Sequence, residues 1–394
     1  MSSKIFSSAL SKNTRWQDAV QEAVKKIRKD MGDVVPDLAI VFVSQTYTDF
    51  DSAEFTSFLE HQLPAKHTIG CNASGVVGGR EEVEMEPAVS VMAMSLPGVK
   101  IEPFVLTPDQ VHGFESGAQL IAAIDVYPTA TPNFICLADP ASTDVTRFLT
   151  IVNDAYKGMP VIGGLASGLV LGIENWLCLD GQVFSEGLVG VALTGDIRFE
   201  TLVSQGCRPI GKPFVITNAE GVTLNELAGK PALQAVQETF DSLTAKDKKL
   251  AEQSILVGIV MNERQSTFKR GDFLIRNLMG YDTSTGALKI GASLRVGQTL
   301  QFQVRDAETS EEDLKHLLEK ISAPLKSDKT RGALLVSCCG RGKGLYGKAD
   351  HDVSMIQDSI GPIAITGFFA NGEIGPIQQR NFIHGFTSSL VIVS

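Results

Sequence analysis

The phrase Gly-x-x-Ala-(Ser/Asn)-Gly occurs three times in this chain: Gly70-Cys71-Asn72-Ala73-Ser74-Gly75, Gly163-Gly164-Leu165-Ala166-Ser167-Gly168 and Gly367-Phe368-Phe369-Ala370-Asn371-Gly372. A short apolar run leads into each copy. Another apolar run, at residues 38–43, 133–138 or 333–338, begins about 30 residues before each copy. A period of that size marks one supersecondary unit used repeatedly. Each unit reads as strand, loop, helix, strand and glycine turn. The chain is therefore expected to be α/β, with mixed β-sheets flanked by helices and built on a recurring βαβ unit.

Two strands joined by a helical crossover lie parallel, with a right-handed connection. The loop after the first strand and the glycine turn after the second then leave from the same edge of the sheet, where open α/β sheets bind ligands. Three mouths are predicted: residues 44–51 with Gly70–Gly75, 139–142 with Gly163–Gly168, and 339–349 with Gly367–Glu373. Glycine in these turns has a purely local reading, since it permits positive φ, and Ser or Asn beside it can simply close a turn.

The rest of the pattern fills in around these units. An amphipathic helix carries Trp16, Val20, Val24 and Ile27 and ends at Met31-Gly32. Asp51 and Glu54 suggest a capping box for a helix over residues 52–63. Asp180-Gly181 marks a two-residue hairpin. A helical stretch is expected to hold Leu224, Leu227, Leu233, Val236 and Phe240, and the charged residues 241–253 to connect the two halves. Runs at 255–260, 273–279, 287–290 and 300–304 read as a β-meander. A helix capped by Ser310 is expected to lead into the third unit. The expected domains are an N-terminal helix (1–35), a first domain (36–220) and a second (221–394).

Composition limits the function. The 394 residues are 43% hydrophobic and 20% charged, enough for full cores, and the net charge of −10 argues against a nucleic-acid partner. The one basic cluster, at residues 25–29, reads as a solvated helix face. No run approaches a membrane span, so no membrane insertion is expected, and no signal-peptide core is present. Residues 1–16 are Ser-rich and acid-free, a weak transit-peptide look set against a frayed terminus. Six cysteines without paired spacing fit a reducing compartment, and a cytoplasmic location is expected.

The local motifs carry less. Gly342-Lys343-Gly344-Leu345-Tyr346-Gly347 matches a dinucleotide pattern, but the helix begins too late, and no Ser or Thr follows Lys343 to serve a phosphate loop. Asp350-His351-Asp352 reads as a helix start with Asp350 as cap rather than a metal site. No nucleophile elbow occurs. Cys338 and Cys339 beside Arg341 leave a thiol-dependent enzyme open, because positive charge favours thiolate. Strand alternation allows only one of the two to reach the mouth. Glu373 and His384 are the acid/base candidates if there is catalysis. No catalytic residue, cofactor or metal is assigned.

With these residues in view, the chain resembles the FIST family, named for F-box and intracellular signal transduction. The first half is similar to the FIST N-terminal domain through Ile69–Gly75 with Gly78-Gly79, and through Gly163–Gly168. The second half is similar to the FIST C-terminal domain through Phe273-Leu274-Ile275-Arg276, Gly340-Arg341-Gly342 and Gly367–Gly375. The resemblance implies a sensory module that binds small ligands such as amino acids or their derivatives. It also implies a signalling or ubiquitin-pathway protein as partner. Only about 35 residues precede the first strand of the repeat, too few for an F-box. The expected function is binding of a small polar or carboxylate ligand, with a protein-interaction adaptor as the alternative. Its site draws on Asn72, Ser74, Gly75, Ser167, Cys338, Asn371 and Glu373. Arg341 and Arg276 are expected to pair with a ligand carboxylate, and Phe368 and Phe369 to give apolar contact.

Overall fold

Each early apolar run pairs in parallel with the strand that carries its glycine phrase. Leu38–Ser44 lies beside His67–Ala73, Asn133–Ala138 beside Val161–Leu165, and Gly332–Cys338 beside Ala364–Ala370. A helix crosses over within each pair: Ser52–Gln62, Val145–Ala155 and His351–Ile360. The apolar runs are continuous rather than alternating because both faces of these strands are covered. Every residue of Leu38–Ser44 is buried.

This computed structural model describes residues 3–325 and 331–394; residues 1 and 2, at the head of the Ser-rich start, lie outside the described residues. The start otherwise corrects the frayed-terminus reading. Ile5–Ser11 is a strand, paired antiparallel with Val89–Ser95. The helix Trp16–Met31 follows, closed by Gly32 as expected.

The glycine phrases are also corrected. They do not begin beyond the strand ends: His67–Ala73, Val161–Leu165 and Ala364–Ala370 run into them. The first glycine of each copy serves close approach. A Cβ on Gly70 would lie 2.3 Å from the Val41 carbonyl oxygen, one on Gly163 1.8 Å from that of Cys136, and one on Gly367 1.9 Å from that of Leu335. Three copies thus share one steric reason for the same residue.

Beyond each phrase the chain leaves its own sheet. Gly75–Gly78 pairs with Ala364–Ala370, Leu177–Leu179 with His67–Ala73, and Glu373–Ile377 with Val161–Leu165. The exchange is cyclic: the first copy lends a strand to the third, the second to the first, and the third to the second. Three six-stranded sheets result. Antiparallel partners Val89–Ser95, Leu188–Gly195 and Thr387–Val393 flank the three parallel pairs. Side chains from all three sheets share one core, and the Phe42 and Phe368 rings stack at 4.5 Å.

These sheets belong to one compact unit, Met1–Val203 with Lys315–Ile383 and Thr387–Ser394. The second unit is Ser204–Leu314 with His384–Phe386. Its strands follow the order Thr299–Arg305, Phe214–Glu220, Thr223–Leu227, Leu288–Ile290, Phe273–Tyr281 and Ile255–Val260, and the last pairs again with the first. The expected meander is therefore a closed barrel, which leaves no edge in that ring. Leu224 and Leu227, expected on a helix, sit on one of its strands and point into its core, while the helix begins at Ala232. Residues 241–253, expected as a connection, are largely the helix Ala245–Gln253. Ser310 lies inside the helix Ala307–Leu325 and does not cap it.

Candidate functional site

The three phrases meet in the first unit instead of forming three separate mouths. Ser167 makes the tie: its hydroxyl accepts from the Ser74 amide at 2.8 Å and donates to the Phe369 carbonyl at 2.5 Å. Backbone bonds join the second and third phrases directly, from Leu165 N to Gly372 O and from Asn371 N to Leu165 O. The Ser74 hydroxyl lies 3.3 Å from the Cys339 thiol. Gly75 admits the third copy closely, since a Cβ there would lie 2.9 Å from the Phe369 ring. One hub therefore replaces the expected three openings.

Much of the hub is structural. Asn72 is fully buried; its amide donates to the Glu174 carbonyl at 2.9 Å and its oxygen accepts from the Trp176 amide at 3.0 Å. It fixes the strand that arrives from the second copy. Phe368 and Phe369 are buried in the core rather than offered to a ligand. The exposed side of the hub is formed by Asn371 with the partly exposed Cys338 and Cys339; the other four cysteines are buried. Both adjacent thiols reach polar surroundings, against the expectation that alternation would admit only one. Cys339 is no longer in the strand, which ends at Cys338.

Glu373 is the chemically unusual group. It has no exposed surface, and burial pushes its pKa up to about 8, despite hydrogen bonds from Thr387, the Cys338 thiol and the charge of Arg341. Its Oε2 accepts from the Thr387 amide at 3.0 Å and from the Thr387 hydroxyl at 2.7 Å. Its Oε1 has no hydrogen-bond partner. Burial likewise raises the Cys339 thiol, with Ser74 and Ser167 opposing by hydrogen bonding.

Arg341 is close by but already engaged. Its Nε donates to Asp352 at 2.8 Å, and its Nη2 donates to the other Asp352 oxygen at 3.1 Å and to the Tyr346 hydroxyl at 2.6 Å. This corrects the expected pairing with a ligand carboxylate: the fork that would grip two oxygens is filled by Asp352. Only the buried Nη1 is without a partner. Burial disfavours the charge on Asp352, but Arg341 and His351 overcome it and hold its carboxyl well below the usual range. The His351 ring stacks on Tyr346 at 3.5 Å. Glu82 accepts from the Val353 amide at 2.9 Å, and burial next to Asp352 raises its pKa. Asp350 accepts from the Glu82 amide instead of capping its own helix. Arg276 lies in the second unit and donates to the Ile275 carbonyl at 2.8 Å.

Asp352, Tyr346, Thr387 and Glu82 escaped the reading of the sequence as site residues. Asp352 stood in view within Asp350-His351-Asp352, but nothing local tied it to Arg341. Among the described residues, no group of three His, Cys, Asp or Glu side chains is arranged to hold a metal, and no helix is long and apolar enough to cross a membrane.

The model of the FIST N domain matches residues 37–230 and that of the FIST C domain matches residues 232–376. An uncharacterised protein of Mycobacterium bovis is 39% identical over 376 residues, 95% of each chain. One of Mycobacterium tuberculosis is 38% identical over 374 residues, again 95% of each. Among solved structures, the cyanuric acid hydrolase from A. caulinodans aligns over 99% of each chain at 9% identity with a TM-score of 0.38. A second cyanuric acid hydrolase aligns over the full length of both chains at 9% identity with a TM-score of 0.32. The two successive matches span most of the sequence, and the chain belongs to the FIST family, with a FIST N domain followed by a FIST C domain.

Proposed function

We propose that this protein is a sensory, small-ligand-binding module of signal transduction, and that its ligand seats on the exposed side of the hub. FIST domains suggest a sensory, ligand-binding role, which supports the class. The observation that carries the placement is the convergence of three phrases on one cluster of short polar side chains. The rigid part of that cluster is internally bonded, while Cys338, Cys339 and Asn371 keep exposed surface. Pre-formed sites of this kind combine a fixed scaffold with a few oriented polar groups. The expected ligand is small and polar, with an amino acid derivative as the model compound, and its output partner is a signalling protein.

A thermal-shift screen of amino acids and small carboxylates tests the reading. A compound selective for the folded state raises the melting temperature in proportion to the logarithm of its concentration. The Ser74→Ala variant should lose that rise while keeping the ligand-free melting temperature close to wild type. A panel without any response, or an undiminished response in the variant, removes the hub as the site.

A further inference from the structure

Glu373 supplies a feature that binding at the hub does not by itself require. Its carboxyl sits on the strand Glu373–Ile377, which pairs with Arg380–His384, bringing Arg380 and the buried His384, and packs against three further strands. Val161–Leu165 brings Gly163 and Gly164 beside it and no ionisable side chain. Thr387–Val393 brings only hydroxyl and apolar side chains, and Gly332–Cys338 brings the Cys338 thiol. Arg341 and Cys339 lie beyond that strand and complete the charged and titratable surroundings. Of the basic residues in this set, Arg341 is bound two-pronged by Asp352 and Arg380 is exposed, while His384 is buried.

The two oxygens of Glu373 are differently placed. Oε2 receives both Thr387 donors, as the carbonyl oxygen of a neutral acid would. Oε1 is enclosed and has no partner. An unpaired buried carboxylate is costly, and the usual escape is to take up a proton. The proton then belongs on Oε1, which becomes an O–H donor with nothing of the protein to donate to. Buried polar atoms are nearly always satisfied, so such an orphan marks a place where something else supplies the acceptor.

We propose that Glu373 is held as a neutral carboxylic acid whose Oε1 hydroxyl donates to an acceptor oxygen of the ligand, so that the hub selects small carboxylates and carbonyl compounds. This rests on the hub being the ligand site. No bond to carbon or sulfur is made or broken: the proton stays on Oε1 and is shared with the ligand oxygen. Ionised Glu373 would repel a carboxylate ligand and offer a carbonyl no donor. Binding is therefore tied to the protonated form, in keeping with a carboxyl whose pKa is pushed up to about 8. Above that pH the affinity should fall about tenfold per pH unit, because one proton must be taken up with each ligand.

Two measurements decide it. Infrared difference spectroscopy of wild type against Glu373→Gln should show, at pH 7, a protonated carboxyl band absent from the variant and lost from wild type near pH 9. No such band at pH 7 overturns the neutral acid. Calorimetric titration with pyruvate, acetate and glutamate, with putrescine and glycerol as probes lacking a carbonyl or carboxylate, tests the ligand class. The expected result is binding by at least one carboxylate at pH 7 that weakens about tenfold per unit above pH 8 in wild type and holds constant in Glu373→Gln, whose amide still donates. Binding that ignores pH in wild type, or no binding by any carboxylate, overturns the class. Should putrescine or glycerol bind in a Ser74-dependent way instead, the hub stands as a site and the role of Glu373 falls.

Discussion

The first and third copies of the repeat use one backbone for two purposes. Both place a phrase glycine against the carbonyl of the paired strand, and both hand the following strand to another sheet. In the first copy the phrase asparagine, Asn72, is buried and both ends of its amide are bonded to the backbone of the second copy. In the third copy the residue two places further along the phrase, Asn371, is exposed, and Glu373 two residues later has an oxygen without a partner. A repeat provides equivalent scaffolds, and chemistry becomes available only in the copy whose polar groups are not consumed in holding the copies together. Recurrence located the hub; departure from it is what the proposed ligand site draws on.

That contrast can be broken most decisively at the shared glycines. Gly70→Ala and Gly367→Ala should each cost on the order of 4 kcal/mol or prevent folding, because each Cβ meets a strand carbonyl that has no room to move. Equilibrium urea unfolding should give similar losses for the two. A tolerated substitution in one copy would mean the backbones are not equivalent. Next in size, Asp352→Ala should cost about 3–5 kcal/mol, since it leaves the buried Arg341 charge without its partner.

The asparagines sharpen the comparison directly. Asn72→Ala should cost about 1–3 kcal/mol by stranding a buried carbonyl and a buried amide. Asn371→Ala should stay within about 0.5 kcal/mol, as an exposed side chain usually does. Equal losses would end the division between a structural and an available copy.

The pH dependence gives the smallest and most specific signal. The folded-state pKa of Glu373 lies above its ordinary value of 4.5, so folding disfavours the ion. Below 4.5 both states are protonated and nothing is lost. As pH rises from 4.5 to about 8 the unfolded chain ionises first, and stability falls. Glu373→Gln should flatten that part of the profile. Asp352 has the opposite sign: its depressed pKa contributes stability above the ordinary carboxylate range that is lost on acidification. Unfolding midpoints across pH 4–9 for the wild type and the Gln variant separate the two.

The parallel pairs, the crossover helices and the hairpin at Asp180-Gly181 were legible because each is written within about 40 residues of chain. The strand exchange was not, because Gly75–Gly78 says nothing about a partner at Ala364–Ala370. The barrel closure and the Glu82 contact to Val353 escaped for the same reason. Ile5–Ser11 escaped because serine masks its alternation; Ser7, Ser8 and Ser11 are nevertheless buried, and the Ser8 hydroxyl oxygen accepts from the Ile365 amide. At the site, Glu373 and Cys338 were visible as residues. That Arg341 would be spent on Asp352 was not, since a basic residue near a strand end reads the same whether it faces a ligand or a carboxylate of its own chain.

The cyclic loan of strands has a consequence for how the chain is made. Gly75–Gly78, paired with Glu81–Glu84, emerges from the ribosome long before the segment that receives it, Ala364–Ala370. Until then the first copy carries an open hydrogen-bonding margin, the kind of surface that recruits foreign chains. Maturation of the hub thus waits for the third copy and is slow by virtue of its long-range pairings, and nascent chains of this protein should lean on chaperones until that copy is made.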